Sequence, residues 1–119
     1  MPDELELPPF PDVQKGRTKF GSCLRMGFTI GEWQDKLYHH AKLGEWFPAR
    51  ENANGILRTE DQIGLHCGVD VRRAKHYMNK ILDAIERKDS RSVEDLISEH
   101  DTEILSAIET AKKKCSCDL

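Results

Sequence analysis

From Phe20 onward, apolar residues return every three or four positions rather than in the alternation of a strand. That spacing constrains the chain more than any other feature. It predicts an all-α protein, a small helical domain of about five helices that ends in a long one. Phe20, Cys23, Leu24 and Phe28 keep helical spacing, weakened by Gly21 and Gly27. Thr29-Ile30-Gly31-Glu32 has the form of a capping box, and the segment it opens carries Ile30, Trp33, Leu37 and Ala41 on one face. Gly44 ends that helix. Residues 44–58 contain Pro48, Asn52 and Asn54-Gly55 and read as a loop. A second box, Thr59-Glu60-Asp61-Gln62, opens a short helix. A longer one follows from about Val71 to Lys88, and Ser92 caps a last one that runs to about Lys114.

A chain of 119 residues supplies one core. Its net charge of −3 argues against a nucleic-acid partner until it is divided along the chain. Residues 1–14 hold four acids, no base and four prolines, so they form an acidic, extended arm that could dock into a protein partner. Residues 15–80 hold twelve Lys/Arg and seven acids, a net of +5, whereas residues 81–119 return to −4. The small total is therefore a cancellation. No apolar run is long enough to span a membrane, and Met1–Glu6 lacks the apolar centre of a secretory signal. A cytoplasmic protein is expected, not secreted, and nucleoid-associated if bacterial. Cys23, Cys67, Cys115 and Cys117 are then expected as reduced thiols, the first two as small core residues.

Within the basic middle, Glu60–Asn79 reads Glu-Asp-Gln-Ile-Gly-Leu-His-Cys-Gly-Val-Asp-Val-Arg-Arg-Ala-Lys-His-Tyr-Met-Asn. Gly64 suits a close crossing of two helices, and Gly68 suits the positive φ of a turn. Ile63, Cys67, Val69, Ala74 and Tyr77 are placed to form the small core between them, with Asp70 as N-cap of the second helix. The segment resembles the helix-turn-helix of repressor-type DNA-binding proteins, over residues 60–79 only. That resemblance implies that the second helix enters the major groove of duplex DNA. Arg72, Arg73, His76 and Asn79 are then the expected base readers, since Arg suits guanine and Asn suits adenine. Lys75, Lys80 and Arg58 are expected phosphate contacts, and Lys15, Arg17 and Lys19 a basic arm.

The domain so defined covers residues 15–90. Residues 91–119 add the C-terminal helix and a flexible, cysteine-containing tail. Val93, Ile97, His100, Ile104, Ala107 and Ala111 form an apolar stripe, read either as packing on the chain's own domain or as a homodimer seam through residues 93–114. A dimer suits two DNA half-sites. Cys115-Ser116-Cys117 is a single tight pair, and structural zinc sites generally need two, so no metal is expected. No phosphate loop or catalytic set has a local signature, and neither a cofactor nor an enzyme is expected. Trp33 and Trp46 are expected as core anchors. The expected function is sequence-specific binding of double-stranded DNA in transcription regulation. The alternatives are a protein-binding adaptor or inhibitor, encoded by a phage or mobile element, using the acidic arm or acidic last helix, and a DNA-packaging or replication recognition subunit.

Overall fold

A computed structural model describes residues 16–115, with side chains for residues 21–113. The acidic arm with Lys15, and the tail from residue 116, lie outside the described residues. The described chain is all-α, without a strand: α1 (Gly16–Lys42), α2 (Trp46–Cys67), α3 (Arg72–Glu86) and α4 (Ser90–Cys115). Each helix packs on its chain neighbours, and α4 returns to α1, so the four close into a ring. Ile30 and Leu37, Ile56 and Ile63, Met78 and Ile81, and Val93 and Ile104 place two side chains from each helix in one buried core. No described helix is long and apolar enough to cross a membrane.

The expected five helices are four because the boundary expected at Thr29 lies inside α1, and the one expected at Thr59 lies inside a longer α2. Thr29 Oγ1 donates to the Arg25 carbonyl at 3.1 Å, and Thr59 Oγ1 donates to the Gly55 carbonyl at 2.9 Å. A hydroxyl that bonds back four residues is a helix-interior arrangement, not a cap. The expected loop at residues 44–58 is mostly the first half of α2. Pro48 sits in its first turn, where an N–H has no intrahelical partner to lose. Gly55 is not a turn residue. A Cβ there would come within 3.1 Å of the Trp33 ring, so glycine lets α1 and α2 close on the tryptophan. At α4 the cap lies three residues before Ser92: Asp89 accepts the Ser92 N–H at 3.1 Å.

Two turns share one hydrogen-bond pattern. Glu45 N–H reaches the His40 carbonyl and Gly44 N–H the Ala41 carbonyl, closing α1 with Gly44 at φ 76°. Asp89 N–H reaches Ala84 and Lys88 N–H reaches Ile85, closing α3 with Lys88 at φ 57°. The expected end of the first apolar segment at Gly44 is therefore found.

The cysteines differ from expectation. Cys23 and Cys67 are joined by a disulfide that ties the beginning of α1 to the last residue of α2. Their spacing of 44 residues conceals a pairing that only the antiparallel α1–α2 packing brings together.

Candidate nucleic-acid interface

The corner between α2 and α3 is built by its glycines. Gly68 caps α2 in the left-handed conformation, φ 67° and ψ 37°, which glycine adopts without steric cost. Gly64 lies one turn earlier. A Cβ there would meet Val71 Cγ2 at 3.1 Å and the Val69 carbonyl oxygen at 3.5 Å. The close approach expected at Gly64 is thus made by the turn and its valine. Asp70 stands one residue before the helix cap at Val71 and accepts the Arg72 N–H at 2.9 Å.

Ile63 and Ala74 are buried between the helices, while Cys67, Val69 and Tyr77 are half-buried. Val71 and Met78 also face inward, which the sequence reading missed. Met78 lies four residues after Ala74, so the helical period already contained that signal. The first helix of the corner is the last two turns of α2, a 22-residue helix, rather than a separate short one.

With Ala74, Met78 and Ile81 turned inward, Arg72, His76, Asn79 and Lys80 lie on the outer face of α3. Arg73 and Lys75 flank it. Three cations engage carboxylates. Arg72 grips Asp70 through Nε and Nη2 at 3.0 and 2.8 Å. Those bonds, with the Arg72 N–H, hold the Asp70 carboxyl at about 2, well below its ordinary value. Arg73 reaches Glu103 on α4 at 3.1 and 3.2 Å, and Lys75 reaches Asp61 on α2 at 2.8 Å. His76 meets Tyr77 edge-on. Arg58 is exposed on α2. Of the expected basic arm, Lys15 lies outside the described residues, and Arg17 and Lys19 belong to the first turns of α1.

The stripe on α4 faces inward: Val93, His100, Ile104, Ala107 and Ala111 are all buried within the single chain. At its centre, His100 Nε2 lies 2.8 Å from Glu60 Oε2, and both side chains are 0% exposed. His100 Nδ1 meets Gln34 Oε1, and Gln34 Nε2 donates to Asp101 at 3.1 Å. Glu60 Oε1 has no partner, and burial raises the Glu60 carboxyl above its ordinary range despite the nearby His100. A hydrogen-bonded chain therefore runs from the α1–α4 surface, through the core, to the first residue of the corner. The sequence suggests Glu60 as part of a cap and His100 as part of an apolar stripe. Neither expectation contains their pairing.

Among the described residues, no group of three or more His, Cys, Asp or Glu side chains is arranged to hold a metal ion. Comparisons with protein-family models, curated proteins and solved structures find no match for this chain.

Proposed function

We propose that the α2–α3 corner binds duplex DNA, with α3 in the major groove, and that the protein regulates transcription by occupying its site. The observation that carries this reading is the outer face of α3 behind its glycine-built turn. From Arg72 to Leu82 the helix holds four cations, His76 and Asn79, and no acidic residue. Arg72, Arg73, His76 and Asn79 act as base readers. Lys75, Lys80 and Arg58 act on phosphates, which position the domain without reading sequence. Asp70 and Asp61, the carboxylates on Arg72 and Lys75, are exposed partners of the kind that contribute little to stability, about 0–1 kcal/mol, so phosphate or a base edge can replace them. Arg73 is itself exposed, although its partner Glu103 is half-buried.

Two half-sites call for two copies. Because the apolar stripe of α4 faces its own core, a homodimer through residues 93–114 would use outward residues of that helix, with Leu105 at 62% exposure as its largest apolar contact. Selection of bound sequences from random duplexes tests the whole reading. It should return a short motif, repeated at a spacing of about one helical turn if the dimer forms. Arg73→Ala should weaken binding to that motif by about 1–3 kcal/mol and relax preference at one position. No enriched motif, or unchanged affinity, would remove the proposed groove orientation.

A further inference from the structure

On the side of the bundle formed by α1 and α4, a groove of about 670 Å³ runs between the two helices. Phe28, Gly31, Tyr38 and Ile97 supply its apolar floor, and Phe28 is 69% exposed there. Four carboxylates, Glu32, Asp35, Glu94 and Asp101, line it with no Lys or Arg among them. Asp101 accepts a hydrogen bond from Gln34.

Gly31 is the telling residue. Glycine inside a helix is less favourable than alanine, because it gives up more backbone freedom, so it needs a reason. Gly27, Gly55 and Gly64 have one, because an added Cβ would press on the chain's own side chains at 3.1–3.3 Å. At Gly31 an added Cβ meets nothing within 4 Å. Gly21 is open in the same way, but it does not line the groove. Gly31 therefore leaves a notch in the groove floor that the protein's own packing does not require.

We infer that this groove docks a lysine- and arginine-rich amphipathic helix of a partner protein. One apolar side chain of that helix sits over Gly31, between Phe28 and Tyr38, and its cations meet the four carboxylates. From Phe28 to Tyr38 the groove follows ten residues of α1, about 15 Å, or roughly three turns of a bound helix. The chain's own acidic arm has the wrong sign for this occupant, since residues 1–14 carry four acids and no base. No groove residue belongs to α3, so a partner helix here and DNA at α3 would occupy different faces, although Glu94, Ile97, Ser98 and Asp101 lie within the span of the proposed dimer.

The test uses the full chain and two synthetic peptides. One places Lys and Leu at helical spacing over about 18 residues, long enough to form a helix. The other has Glu at every Lys position. Fluorescence anisotropy at about 150 mM salt screens long-range attraction. The Lys/Leu peptide should bind at least about tenfold tighter than the Glu/Leu peptide. Gly31→Leu keeps every charge and fills the notch. It should weaken the Lys/Leu peptide by at least about tenfold while the thermal melt stays the same or rises. The double variant Glu32→Lys/Glu94→Lys, which leaves Gly31 in place, should reverse the preference between peptides. Amide shifts on binding should centre on residues 28–38 and 94–101. Three results overturn the inference: no preference between peptides, Lys/Leu binding indifferent to Gly31→Leu, or a wild-type dimer that Gly31→Leu converts to monomer. The last would make a second copy the occupant.

Discussion

Replacing His100 by leucine takes away the partner of the Glu60 carboxylate. Oε2 loses its 2.8 Å contact, and Oε1 has none to begin with. Both side chains are fully buried, so water cannot take the place of the lost partner. Breaking a buried pair from one side costs about 3–5 kcal/mol, because a charge is left uncompensated. At about 4 °C per kcal/mol for a chain of this size, His100→Leu should lower Tm by roughly 12–20 °C. Glu60→Leu should cost less, about 1–3 kcal/mol, since His100 keeps its bond to Gln34 and only one ring nitrogen loses its partner. The double leucine variant should be the least damaged, because replacing a buried pair by apolar side chains is often neutral or stabilising.

The pH dependence follows from the direction of the Glu60 shift. Its folded value is raised by burial, so folding favours the protonated carboxyl. The penalty in His100→Leu is therefore smallest below the ordinary value of 4.5 and grows as pH rises through the folded value. Thermal and urea melts followed by circular dichroism at pH 7 and at pH 4 measure all four chains of the cycle. A double variant less stable than either single one would refute the reasoning, as would a His100→Leu deficit that widens towards acid.

Two other outcomes follow from the corner and its tether. Reducing the Cys23–Cys67 bond frees a loop with a sequence separation of 44. The chain-entropy model then gives a loss of about 4 kcal/mol, seen as separated melts with and without reductant and mimicked by Cys23→Ser. Coincident melts would contradict the disulfide. Asp70 should titrate near 2 by NMR, because Arg72 holds its carboxylate. Its contribution to the corner is complete above its ordinary 3.8 and lost as pH falls through about 2. A midpoint near 3.8 would place Arg72 elsewhere.

The corner was legible in the sequence because its requirements are local. Gly68 must turn left-handed and Gly64 must admit Val71, and both demands fall within eight residues of chain. The helix boundaries were harder, since Thr-x-x-Glu reads the same at a cap as in a helix interior where threonine bonds back. The start of α2 was hidden by Pro48, Asn52 and Gly55. Yet Trp46, Ala49, Ala53, Ile56, Glu60 and Ile63 keep a 3–4 spacing, and counting alanine as apolar exposes the helix. What lay beyond reach was long-range. Glu60 with His100, Arg73 with Glu103 and Cys23 with Cys67 are set by how helices pack, and each partner alone has an ordinary local explanation. The same holds for the α4 stripe, where periodicity fixes the apolar face but not whether α1 and α3 or a second copy covers it.

The central claim is that α3 binds duplex DNA, and a salt titration with the full chain tests it most directly. Affinity for a duplex should fall steeply between about 50 and 200 mM salt, with a log–log slope near −0.9 per phosphate neutralised. Lys80→Ala should make that slope shallower by about one phosphate and weaken all sequences alike. Binding that is absent at about 50 mM salt, or a slope that Lys75→Ala, Lys80→Ala and Arg58→Ala together leave unchanged, would contradict it.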